Sequence, residues 1–334
     1  MDLVFHLSGE HKTLPKSEVV SLLEHHHILR EVLIDLDQVL VCRVERCDPS
    51  LLERLGMTHA VLEYLGSCPA EIDKIRFLAE GIGHVGESFS VRVKRIKQYC
   101  KHLSALELER IVGGSIKGDK VDLKTPRIHI NAFLTSDAFV MGKLFLEIKR
   151  SLLEKRNPKH RPFFHPSSLM PKLSRTLCNI CGVMEGVRLL DPFCGAGGLL
   201  IEAGLLGAEV FGIDIDEQMV FGCRENLSYY GVKGSVELGD ATDLKLDGLF
   251  DVVLTDPPYG RSSTTKGMDL GVLYSKAASS IFRALKKNGA ACMISPEDVR
   301  LEEIALKAGF EVAEVHHVRV HRSLTRKIAV LKKP

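Results

Sequence analysis

The hydrophobic and polar positions change rhythm about half-way along the chain. From residue 165 onward, short apolar runs alternate with stretches whose apolar residues recur every three or four positions, as strands exchanged with amphipathic helices do. Strands are predicted at 187–190, 209–213, 235–238, 250–254 and 290–294, with helices at 199–206, 216–230 and 271–287. Alternation of this kind implies an α/β fold with a parallel, doubly wound (Rossmann-like) sheet. The last two runs, 310–320 and 327–331, have no helix between them and are expected to form an antiparallel edge pair. Upstream the order is less regular. Helix-like runs lie at 16–30, 50–55, 70–82 and 104–117, and strand-like runs at 32–36, 38–46, 58–65, 88–95 and 127–134, which reads as an α+β region of more than one unit.

A chain of 334 residues has room for two or three domains. Lys155–Pro162 carries two prolines and four Lys or Arg with no apolar partner, so a linker is expected over 155–164, with one domain at 165–334. The net charge of +2 conceals an uneven spread. Residues 1–50 hold 5 Lys and Arg against 9 Asp and Glu, whereas residues 86–160 hold 16 against 8. A basic module ahead of a neutral one suits a polyanion-docking unit joined to a catalytic unit. No run approaches the ~20 apolar residues of a membrane span, and Met1–Glu10 has neither the basic leader nor the apolar core of a signal peptide. A cytoplasmic location is therefore expected. Nine irregularly spaced cysteines point to reduced thiols. Cys178 and Cys181 lack a second pair, and His25–His27 lacks acidic or thiol companions, so no metal site is expected.

The chemistry gathers where predicted strands end. Asp191-Pro-Phe193-Cys-Gly195-Ala-Gly197-Gly follows a buried strand and opens a helix, where a doubly wound sheet holds ligands at its carboxyl edge. Asp214 ends the next strand, placed to accept hydrogen bonds from ribose hydroxyls. Asp240 ends the third, able to accept from an adenine amino group while the Ala241 amide donates to the ring. Each acid alone could be a helix cap. Together they indicate a nucleoside cofactor, without choosing between nicotinamide dinucleotide and S-adenosylmethionine.

The fourth strand makes that choice. Asp256-Pro257-Pro258-Tyr259-Gly260 follows Phe250–Leu254, and two prolines remove two amide donors. An acceptor pair remains, the Asp256 carboxylate and the Pro257 carbonyl. Two acceptors holding the two hydrogens of an aryl amine favour a pyramidal nitrogen whose lone pair can face a methyl sulfonium. Tyr259 offers a ring on which a base can stack. A rigid turn without chemistry would use the same residue types.

The basic module supplies an electrostatic footprint. In the strand at 88–95, Arg92 and Lys94 share one face and Val91 and Val93 the other. Lys117, Lys124 and Arg127 add donors suited to phosphate, and Arg322 and Arg326 are placed to grip phosphates beside the target base. Sparse aromatics favour recognition of folded RNA by shape.

From Phe163 to Pro334 the chain resembles the S-adenosylmethionine methyltransferases of exocyclic amines, on Asp191–Gly198 and Asp256–Tyr259. His165–Leu173 resembles the additional cofactor motif of that group, which implies a cofactor contact for Ser167. Phe89–Arg95, Val112–Gly118, Val121–Leu123, Pro126 and Phe139–Gly142 resemble a THUMP domain, an RNA-binding module of tRNA-modifying enzymes. With His321–Arg326, the whole chain resembles the archaeal tRNA (guanine(10)-N2)-methyltransferase family. The resemblance implies a ferredoxin-like extension over 1–50, a THUMP domain over 51–154, and S-adenosylmethionine as cofactor. The implied reaction adds one or two methyl groups to the 2-amino group of guanosine 10 in tRNA. Relatives that act on guanosine 6 or on a ribosomal guanosine leave the nucleotide open, and some recruit a small zinc-binding activator. A nicotinamide-dependent oxidoreductase or a non-catalytic tRNA-binding protein would share only part of these features.

Overall fold

A computed structural model describes residues 1–118, 120–260, 268–321 and 324–334. Contact density parts the chain into two units, Met1–Lys149 and Arg150–Pro334.

The first unit runs β1 (Asp2–Leu7), α1 (Leu14–His25), β2 (Leu29–Leu36), β3 (Val39–Val44), α2 (Pro49–Leu52), β4 (Thr58–Pro69), α3 (Ile72–Gly81), β5 (Ser88–Arg95), α4 (Ala105–Ser115), β6 (Lys120–Val121), β7 (Ile128–Thr135) and β8 (Ala138–Glu147). Its eight strands form one sheet in the order β2-β3-β1-β4-β8-β7-β5-β6. β4 pairs antiparallel with β1 on one side and β8 on the other. A single sheet therefore passes from the expected extension into the expected THUMP span. The sequence reading missed β1 and β8. Both sheet faces are covered at β1, with Leu3 and Phe5 packed among α1 residues such as Val19 and Leu23, and Val4 among Val41, Leu62 and Phe133. A strand buried on both faces has no alternation to detect.

The second unit contains α5 (Ser151–Glu154), α6 (Pro171–Ile180), β9 (Arg188–Asp191), α7 (Gly198–Gly204), β10 (Glu209–Asp214), α8 (Glu217–Tyr229), β11 (Gly234–Leu238), β12 (Phe250–Thr255), α9 (Leu270–Ala284), β13 (Leu285–Pro296), α10 (Leu301–Ala308), β14 (Glu311–His321) and β15 (Leu324–Lys332). The order is β11-β10-β9-β12-β13-β15-β14. The first five strands are parallel, and β14 and β15 are antiparallel, with β15 pairing to β13. The expected α/β class and antiparallel edge pair are both present. The helix expected to reach residue 287 stops at Ala284, because Leu285 joins the sheet opposite Phe250. Strand order reverses at β9, so a crevice opens above the carboxyl ends of β9 and β12.

The expected linker proves to be bound down. Glu202 on α7 is fully buried, and its carboxylate receives Arg156 Nε at 2.6 Å and Nη2 at 2.9 Å, and Arg175 Nε of α6 at 3.0 Å. Arg161 is also buried. The stretch has no apolar partner because its partner is a carboxylate 46 residues away.

Candidate active site

The glycine turn after β9 is built around backbone conformations that side chains disfavour. Gly197 has φ +81°, and a Cβ there would lie 2.7 Å from Cys223 Sγ on α8. Glycine thus lets the loop lie against the helix. Buried Asn226, also on α8, donates to the Ala196 carbonyl at 2.9 Å and exchanges hydrogen bonds with both backbone groups of Phe163. It sews the segment ahead of the additional motif to the glycine turn. Sequence reasoning passed it over because an asparagine within an amphipathic helix reads as a surface residue.

The four acids stand at four strand ends in different states. Asp191 is buried, with its Oδ1 accepting from Thr255 Oγ1 at 2.9 Å and from the Phe193 amide at 3.2 Å. Its internal bonds tie the end of β9 to the end of β12, so it shapes the crevice from beneath. Burial pushes its carboxyl up to about 8, and Asp214 and Asp256 nearby add to the rise. Asp214 accepts from the Gly195 amide at 2.8 Å and the Asp216 amide at 3.0 Å, and burial raises its carboxyl. One bond to each oxygen leaves lone pairs for hydroxyl donors. Asp240 is exposed and caps the turn at Ala241–Asp243 through the Thr242 amide at 2.8 Å. Ala241 is buried, and Ser167 is exposed with its hydroxyl 2.6 Å from His165 Nδ1.

Asp191 also yields a prediction. Its folded-state value lies above the ordinary 3.8. Between the two values the native chain holds one proton more than the unfolded chain, so stability falls as pH rises. This contribution is complete below about pH 4 and lost on passing pH 8. Melting midpoints of Asp191→Asn should therefore decline less than those of the parent between about pH 4 and pH 8. Parallel curves would refute the burial of a protonated carboxyl.

The Asp256–Tyr259 run closes on itself. Tyr259 Oη donates to Asp256 Oδ1 at 2.5 Å, and Arg326 Nε of β15 donates to that hydroxyl at 2.9 Å. Arg326 Nη2 lies 3.9 Å from Asp256 Oδ2. Burial raises the Asp256 carboxyl, while Arg326 and the Tyr259 hydroxyl hold it down. Tyr274, buried on α9, lies with its hydroxyl 3.2 Å from the Ile294 carbonyl and 3.4 Å from that of Pro257. It was missed because its helix periodicity marks it only as core. Arg326, expected beside phosphate, has its guanidinium against Tyr259 and Asp256. Arg322 lies outside the described residues.

In the first unit Arg92 and Lys94 are exposed while Val91 and Val93 are buried. Arg92 is paired with Glu109 at 3.4 Å and Arg127 with Glu87 at 3.1 Å. Lys124 is exposed in the turn capped by Asp122. Lys117 lines a cleft with Arg76, Arg110 and Glu80 between α3 and α4. Arg76 and Arg110 had no strand alternation to mark them.

Comparison with known proteins adds the whole-chain view. The chain is 39% identical, over 100% of both sequences, to the tRNA (guanine(10)-N2)-dimethyltransferase of Methanothermobacter thermautotrophicus. It belongs to the tRNA (guanine(10)-N2)-dimethyltransferase family. The family member of Pyrococcus abyssi is 36% identical over 84% of this chain and 86% of its own. Within the family frame, residues 71–142 match the THUMP domain and residues 158–328 the RMKL-like methyltransferase domain. A crystal structure of TrmN from Thermus thermophilus, 20% identical and covering both chains fully, superposes with a TM-score of 0.58 and shares the fold. Family membership makes this chain an S-adenosylmethionine-dependent methyltransferase and removes the oxidoreductase and non-catalytic readings.

Proposed function

We propose that this protein methylates the 2-amino group of guanosine 10 in tRNA, and methylates it a second time. The observation that carries the reading is the Asp256–Pro257–Tyr259 acceptor site at the end of β12, in a chain matched end to end by a tRNA (guanine(10)-N2)-dimethyltransferase.

The residues present fit the cofactor. Asp214 and Asp256 are close enough to raise the Asp191 carboxyl, and acids gathered in this way favour a cationic ligand. Asp214 would hold the ribose, Asp240 and Ala241 the adenine, and Gly195, Gly197, Phe193 and Ser167 the remainder. When bound, S-adenosylmethionine supplies a methyl group carried on a sulfonium. Asp256 Oδ2 and the Pro257 carbonyl then take the two amine hydrogens, Tyr259 supports the base, and Asp256 can receive the proton released on transfer. The target base must leave its stack to reach these groups.

The first unit would dock the tRNA body. The cleft with Arg76, Arg110 and Lys117 against one Glu80 concentrates positive charge, and Lys94 and Lys124 are exposed elsewhere in the same unit, all suited to phosphate rather than to base edges. A zinc-binding activator forms no part of this proposal.

Incubation with methyl-labelled S-adenosylmethionine and unmodified tRNA, followed by nucleoside mapping, tests it. The expected products are N2-methylguanosine and then N2,N2-dimethylguanosine at position 10. Label at another guanosine would overturn the nucleotide assignment, and label on adenine the chemistry.

A further inference from the structure

We propose that Arg326 is a positioning residue for methyl transfer, fixing the Tyr259 ring by its hydroxyl and supplying the counter-charge to Asp256. The inference rests on the reading of Asp256 and Tyr259 as the amine-aligning site. It assigns to that site a residue from a different strand, 67 positions beyond Tyr259.

The division of donors and acceptors supports it. Asp256 Oδ1 is taken by the Tyr259 hydroxyl, leaving Oδ2 for substrate. A phenol that donates to one group still accepts from another, and Arg326 Nε fills that role at 2.9 Å. With both bonds made, the ring can neither swing about its bonds nor turn its hydroxyl away from Asp256. The guanidinium lies 5.8 Å from the ring centroid, near its hydroxyl edge. The Asp256 and Arg326 side chains are 15% and 16% exposed, so their mutual attraction is little screened. A planar fork can donate to the phenol through Nε while turning Nη2 toward the carboxylate, whereas a lysine ammonium is a single point of charge.

Position in the sheet explains the aim. Arg326 lies opposite Pro296 of β13 and Val318 of β14, on the strand inserted between them. The antiparallel pair thus returns the chain to the carboxyl edge of the parallel strands, beside the end of β12. Among the described residues, the other titratable groups near Asp256 are Asp191 at the end of β9, Tyr259 in its own loop and Tyr274 on α9. Among the described residues, the Arg326 guanidinium supplies positive charge that holds the Asp256 carboxyl down.

Four full-length variants separate the two roles: R326M, R326K, Y259F and the double variant Y259F/R326M. R326M should lower single-turnover kcat by roughly 10- to 100-fold, with the KM for tRNA changed little. Its acid limb should move to higher pH, since Asp256 has lost its counter-charge. R326K should restore the acid limb but not the plateau rate. In the Y259F background, R326M should leave the plateau rate almost unchanged, because the hydroxyl it acts through is already gone. Calorimetry with S-adenosylmethionine checks that each variant is folded, and R326K and Y259F carry the test should R326M not be. A raised KM for tRNA with unchanged kcat, or an equal loss in both backgrounds with a fixed acid limb, would overturn the proposal in favour of a phosphate grip. If Asp256→Ala retained activity, the underlying site reading would fail instead, which the Arg326 series alone cannot cause.

Discussion

Asp256→Ala should reduce methyl transfer by on the order of 10³-fold or more, while tRNA affinity stays within about twofold. The two effects separate because they belong to different parts of the chain. Affinity for a polyanion comes mainly from phosphate contacts, and the basic cleft lies in the first unit. On the proposed reading Asp256 holds the reacting amine, so its loss would remove alignment and the proton acceptor together. It also strands Arg326 and frees the Tyr259 hydroxyl, both of which now contact it. Asp256→Asn should fall between, keeping an acceptor oxygen but presenting an amide in place of a charge to Arg326. Filter binding alongside single-turnover kinetics checks both, and retained turnover with lost binding would sink the assignment.

Glu202→Ala should destabilise the second unit by about 3–5 kcal/mol, lowering its melting midpoint by on the order of 10 °C. The carboxylate is fully buried and serves two arginines, whose side chains are only 17% and 10% exposed. Removing one partner of such a cluster leaves charge buried without compensation, which costs more than the intact cluster contributes. Since Arg156 lies before the glycine turn and Arg175 on α6, the damage should also loosen the segment between them, which carries Ser167. Glu202→Ala combined with Arg156→Ala should lose less than the two single changes added. Additive losses by calorimetry would show that the residues are not coupled.

The site was legible where chemistry is bound to position along a strand. Asp191 and Asp214 end parallel strands and Asp240 and Asp256 lie just past the ends of two more, and residues at the carboxyl edge of such a sheet face one crevice by topology alone. Asp191 shows the limit of that rule, because a strand end can also turn its carboxyl inward, as Thr255 and the Phe193 amide draw it here. Glu202, and the contact that Arg326 makes with Tyr259, were illegible for a different reason. Their partners are 46 and 67 residues distant, and a charged side chain in a one-dimensional pattern is read as solvated unless its counter-charge is near. β1 and β8 escaped because burial on both faces erases the period-two signal.

The eight-stranded sheet also bears on how such a chain can be assembled over generations. β1 lies inside the sheet, between β3 and β4, rather than at its rim. Deleting residues 1–50 would expose the Thr58–Glu63 half of β4 as an unpaired edge, a template for aggregation. The leading segment is thus no detachable appendage to the RNA-binding module. The inheritable block is Met1–Lys149, and a recombination joint within it would separate hydrogen-bonded neighbours.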